Sequence, residues 1–117
     1  MALGKYTEAE TVLRECISIR EKQSPQLWQL FHAKSLLGEC LLGQRTFADA
    51  EPLLLAGYEG MEAREAFMPA YRKHELPAAA DRLVQFYEAT GKPETVAKWR
   101  SVRAKYGPVS APFPREK

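Results

Sequence analysis

A chain of 117 residues that is 45% hydrophobic and 27% charged has the size and balance of one compact domain, able to bury a core without metals or crosslinks. Seventeen Lys and Arg against fifteen Asp and Glu leave +2, too weak a field to argue for nucleic acid or an anionic membrane as the partner. The charge is uneven, +5 over residues 92–117 and −3 over residues 1–91, a pattern that more often tunes solubility or a weak contact than marks a dedicated nucleic-acid site.

No run approaches the roughly 18 consecutive apolar residues that span a bilayer, and no signal region opens the chain. The expectation is a soluble, cytoplasmic protein with no membrane partner. Cys16 and Cys40 lie in apolar helical contexts, where a free thiol packs as a small hydrophobe, so no structural disulfide is expected. Residues 3–10, LGKYTEAE, read as a turn with no earlier helix for Leu3 and Tyr6 to pack on, and upstream repeats are expected to be missing.

From Thr7 to about Gln23, the apolar residues Ala9, Val12, Leu13, Cys16, Ile17 and Ile19 recur mostly at three- and four-residue steps, the stripe of an amphipathic helix. Thr7 is the expected N-cap, with Glu10 completing a capping box and Glu10–Arg14 adding an i,i+4 pair. Ser24-Pro25 ends this helix and opens a second, to about Leu42, with Leu27, Leu30, Phe31, Lys34, Leu37, Gly38 and Leu41 on its buried side. Gly38 in mid-helix costs about 1 kcal/mol relative to alanine, which predicts another backbone passing close by. A tight turn over residues 43–46 leads to a third helix, about Phe47 to Phe67, whose Ala50, Leu54 and Gly57 form a small-large-small stripe facing the second. Pro52 requires that helix to begin only a few residues earlier or to bend.

Met68-Pro69 stops the third helix, and residues 69–76 read as a loop. A fourth helix, about Pro77 to Thr90, carries Ala80, Leu83, Val84, Phe86 and Tyr87 and ends at Gly91; a fifth runs from Pro93 to about Tyr106 with Val96, Trp99 and Val102. Beyond Gly107 the prolines of PVSAPFPREK favour extended chain, read as a spacer.

His32 and His74 lack partners at zinc-ligand spacing, Cys16 and Cys40 form no CxxC, and there is no phosphate loop, nucleophile elbow, HExxH or kinase signature. No catalytic residue, metal or cofactor is therefore expected. Glu39 and Glu88 as converging acid/base carboxylates are less favoured than two solvated groups. Trp28 is a candidate aromatic anchor, weighed against packing on the Val12, Cys16 and Ile19 region; Trp99 beside Lys98, Arg100 and Arg103 reads as packing beneath a basic cap rather than as a base-stacking ring.

Leu37, Gly38, Leu41, Ala50, Leu54 and Gly57 resemble the packing code of the tetratricopeptide repeat, which locks one helix of a hairpin onto the other. Leu83, Val84, Tyr87 and Val96 restate its first half, and Ala9, Leu13 and Cys16 its second. DAEPLL, RLVQFYEATGKPE and VAKWR look most like the longer, kinesin-light-chain type found at the C-terminal ends of many bacterial serine/threonine protein kinases. Departures are Lys34 at an aromatic position, Val96 for the usual alanine, and Arg100 and Arg103 at apolar or small positions. The spacings Ala9 to Ala50 and Ala50 to Val96, 41 and 46 residues, also exceed the roughly 34 of the short form.

The resemblance implies an all-α, right-handed superhelix of about five antiparallel helices: the second helix of a truncated repeat (1–23), a complete hairpin (24–67), a divergent capping repeat (68–106) and a Pro-rich tail (107–117). The implied activity is non-catalytic binding of a protein or peptide on the concave face, drawing on His32, Ser35, Glu39, Leu42, Asp81, Gln85 and Glu88. Glu39, Asp81 and Glu88 would give it an acidic character suited to a basic or extended peptide. The alternative is a regulatory or oligomerisation segment at the end of a larger bacterial kinase, with self-association through an apolar face of the N-terminal helix.

Overall fold

The computed structural model describes residues 3–107, and all its regular structure is helical: α1 (Leu3–Gln23), α2 (Trp28–Gly43), α3 (Phe47–Ala63), α4 (Glu75–Ala89) and α5 (Pro93–Ala104). The Pro-rich stretch 108–117 lies outside the described residues. Each helix packs against the next, and α2 also touches α4. One continuous core runs from Ile17 through Leu37, Leu54 and Leu83 to Trp99.

The N-terminal boundary differs from the sequence expectation. Residues 3–10 are the first turns of α1 rather than a turn, and Thr7 sits inside the helix, its carbonyl accepting from Thr11 Oγ1 at 3.2 Å. The reason is tertiary. The Tyr6 ring lies against Gly43 at the far end of α2, so close that a Cβ there would sit 2.4 Å from it, and Glu10 accepts a hydrogen bond from Gln44 Nε2 at 2.9 Å. Glu10 is thus spent on α2 and on Arg14, at 2.7 Å, instead of on a capping box.

α2 starts at Trp28, three residues later than Pro25, and Leu27 stands outside it, exposed rather than buried. α3 stops at Ala63. The linker from 64 to 74 is built from two short 3-10 turns, Glu65–Phe67 and Ala70–Arg72, where a helix end and a loop were expected. Arg64 explains the early stop: its guanidinium donates to Gly60 O at 3.0 Å and crosses to Gln26 O at 2.6 Å, pinning the end of α3 to the segment before α2.

The α2–α3 hairpin is held by close backbone approach. A Cβ on Gly57 would lie 2.7 Å from Ser35 N and 2.8 Å from Ser35 Cα, and one on Gly38 would lie 2.6 Å from Leu54 Cγ. The mid-helix cost of Gly38 is therefore offset by the side chain of Leu54, which is fully buried over it.

The turn ending α2 recurs at the end of α4. Thr46 N–H donates to Leu41 O at 2.8 Å and Arg45 N–H to Leu42 O at 2.9 Å; forty-six residues on, Lys92 N–H donates to Tyr87 O at 3.0 Å and Gly91 N–H to Glu88 O at 3.3 Å. Both are Schellman closures with a left-handed residue, Arg45 at φ 62° and Gly91 at φ 71°. At the same offset, buried Leu30, Ala33, Leu37, Cys40, Leu41 and Ala50 correspond to buried Leu76, Ala79, Leu83, Phe86, Tyr87 and Val96. The two hairpins are one structural unit used twice.

Arg45 is the unfavourable copy of that turn. Left-handed backbone costs a side-chain-bearing residue about 1–2 kcal/mol, whereas the Arg45 guanidinium over the Phe47 ring, 5.3 Å away, returns about 0.5–1 kcal/mol. Arg45→Gly is expected to stabilise the fold by about 0.5 kcal/mol, seen as a small rise in urea midpoint at constant m-value, and Gly91→Ala to destabilise it by about 1 kcal/mol. A lower midpoint for Arg45→Gly would contradict this ranking.

Candidate functional site

The first helices of the two hairpins, α2 and α4, meet along a polar seam. Residues 32, 35 and 39 lie on one stripe of α2 because they are spaced by three and four. On α4, Glu75 and Arg82, seven residues apart, share the stripe that faces them. Arg82 bridges the helices, donating from Nη1 to Ser35 Oγ at 3.1 Å and from Nε to Glu39 Oε1 at 3.2 Å. Toward the linker, His32 Nε2 lies 3.1 Å from Glu75 Oε1, while His74 Nε2 and Arg72 approach Glu75 Oε2 at 3.3 and 3.6 Å.

The seven residues expected in one groove are not brought together. His32, Ser35 and Glu39 sit on the α2–α4 seam. Asp81 and Glu88 turn toward α5, where Arg103 Nε reaches Asp81 Oδ2 at 3.1 Å and Arg100 pairs with Glu88. Ser35 lines no open surface, being wholly enclosed where α2 passes Gly57, and Leu42 packs against the core. Gln85 is exposed.

Each of the three carboxylates expected to make the groove acidic is neutralised by an arginine of the chain itself. The pairing is asymmetric in two cases: the Glu39 side chain is 46% exposed against 12% for Arg82, and Asp81 42% against 17% for Arg103. The acidic half is thus the more exposed one in the Glu39–Arg82 pair on the seam and in the Asp81–Arg103 pair between α4 and α5. Arg100 and Arg103 were visible in the sequence as charges on a stripe otherwise apolar or small, the sign of a residue with a partner to reach. Arg82 carried no such mark.

Trp28 is buried in the core cluster that also holds Ile17 of α1, while Val12 and Ile19 stay exposed. Its ring tilts over His32 at 6.1 Å between centroids and carries the Arg72 guanidinium at 5.0 Å. Trp99 is also buried, edge-on to Tyr58 at 5.3 Å, so its face is not open for base stacking. Tyr58 in turn meets the Tyr106 hydroxyl at 2.6 Å, tying the end of α5 to α3.

His32 is the titratable group most affected by the seam. Desolvation lowers its proton affinity, Arg82 and Arg72 push the same way, and Glu75 opposes them. Because its folded pKa lies below the unfolded value, the unfolded chain takes the proton first. This stability is present above the ordinary histidine range and falls as pH drops below about 6.5. The melting temperature is expected to decline between pH 7 and 5, and less steeply in His32→Gln, whose amide keeps a donor for Glu75. Equal slopes would remove His32 as the cause.

Among the described residues, no group of His, Cys, Asp and Glu side chains is arranged to hold a metal ion, and no helix is long and apolar enough to cross a membrane. Successive hairpins with a turn repeated at a fixed offset define an all-α protein of helical-repeat character. In comparisons with known proteins, no family model, curated protein or solved structure matches this chain.

Proposed function

We propose that this chain is a tetratricopeptide-like array that binds a protein or an extended peptide without catalysing a reaction, using the surface along α2 and α4. The observation that carries the reading is the side-by-side placement of the first helices of two equivalent hairpins, with exposed carboxylates at Glu39 and Asp81 over tucked arginines. Stacked hairpins of this kind present their first helices as a shared surface. A basic segment fits it, because a lysine or arginine can approach the open carboxylate edges without displacing Arg82 or Arg103.

The test places a photo-crosslinking side chain at exposed Gln85 and a control at Lys98 on α5. Capture of one partner from position 85, lost on Glu39→Lys, is the expected result. Equal capture from both positions would sink the proposal.

A further inference from the structure

We propose that the end of the first hairpin carries a second docking site, separate from the α2–α4 surface, that takes a peptide with one large apolar anchor flanked by carboxylates. A groove of about 360 Å³ opens there between Gln26, Leu27, Trp28, Gln29, Arg64 and Phe67. It lies near the lower end of the roughly 300–1,000 Å³ range of ligand pockets, room for one bulky side chain.

Two of the five large hydrophobic side chains exposed among the described residues line this groove: Leu27 at 48% and Phe67 at 80%. Exposed large apolar side chains paired in one concave slot are the pattern of a contact surface rather than of scattered apolar residues.

The groove is built before anything binds. Arg64 donates to Gln26 O at 2.6 Å, to Gln26 Oε1 at 2.9 Å and to Gly60 O at 3.0 Å, with its guanidinium 4.3 Å from the centre of the Phe31 ring. That clamp holds both walls, so docking orders little of the protein.

Charge selects the occupant. Arg64 and Phe67 form the outer wall, and the linker 64–74 they belong to carries Arg64, Arg72 and Lys73 against Glu65, with Glu75 just beyond it 3.6 Å from Arg72. An acidic segment is attracted to it and a basic one repelled. The chain's own C-terminal segment fits poorly, since its last three residues are Arg115, Glu116 and Lys117. A bilayer fits less well than a peptide because the apolar surface includes a slot for a single side chain.

The experiment titrates the full-length, isotope-labelled chain with a hexapeptide whose central tryptophan–leucine pair is flanked by aspartate and glutamate, following backbone amide shifts. Shifts confined to residues 26–29 and 64–73 are expected, with affinity at least tenfold weaker for the lysine-flanked peptide, for an alanine-anchored peptide, and for Phe67→Ala. Phe67 is so exposed that its removal leaves the fold intact, which the unchanged remainder of the spectrum verifies. Equal binding of acidic and basic peptides, or shifts on the α2–α4 seam instead, would overturn the proposal. So would occupation by the wrong partner: perturbation of Leu27 and Phe67 on deleting residues 108–117, on dimerisation at high concentration, or only with vesicles containing phosphatidylserine.

Discussion

Gly57→Ala is expected to destabilise the protein by about 2 kcal/mol, lowering its melting temperature by roughly 6–10 °C. The added Cβ would fall 2.7 Å from Ser35 N and Cβ, and two of the three nearest atoms are backbone, so no rotamer change relieves the clash. Alanine's better helix propensity returns about 1 kcal/mol, but α2 and α3 must move apart along their length to admit the methyl. That displacement also shifts Ser35, whose hydroxyl accepts the Arg82 bond joining the two hairpins. Circular dichroism of the variant during thermal unfolding measures the effect; a melting temperature within about 2 °C of the parent would mean the helices are not in backbone contact there.

The second large effect is a coupling. Leu54→Ala empties a fully buried position and is expected to cost about 3 kcal/mol, while Gly38→Ala drives a methyl to within 2.6 Å of Leu54 Cγ and is expected to cost about 1–2 kcal/mol. In the double variant the methyl introduced at position 38 occupies space the leucine has left, and alanine's helix propensity is recovered. The pair should therefore be less damaged than the sum of the single changes by about 1–2 kcal/mol. Urea unfolding of the four proteins closes the cycle. Additivity within about 0.5 kcal/mol would show that Gly38 leaves space for something other than Leu54.

Both predictions concern a contact that was legible before any coordinates. A glycine in the middle of α2 and a small-large-small stripe on α3 can be reconciled only by close packing of the two helices, and the periodicity of the apolar residues placed all five helices in order. The turns around Gly43 and Gly91 were also legible, because loss of helical periodicity beside glycine marks a stop. Which residue takes the left-handed conformation was not: at the first turn it is Arg45, two residues past the glycine, since the hydrogen bonds from 45 and 46 back to Leu42 and Leu41 set the closure.

The candidate binding surface was legible only in part. Helical spacing placed His32, Ser35 and Glu39 on one stripe, and Asp81, Gln85 and Glu88 on another. It gave no account of Arg82 spanning 43 and 47 residues to reach Glu39 and Ser35, or of Arg103 spanning 22 to reach Asp81. Those pairs match the carboxylates with arginines, one pair on the α2–α4 seam and one between α4 and α5, with the acid the more exposed partner in both.

Local propensity and the period of the apolar residues are enough to dictate an all-helical chain whose second and third helices touch at glycine. Packing between distant segments sets the rest: where α1 begins, that Trp28 carries the Arg72 guanidinium of the linker, which carboxylates are neutralised, and that Leu27 and Phe67 come together in one groove. Each of these depends on residues far apart in the chain, and short-range periodicity carries no information about the partner a side chain meets after the hairpins stack.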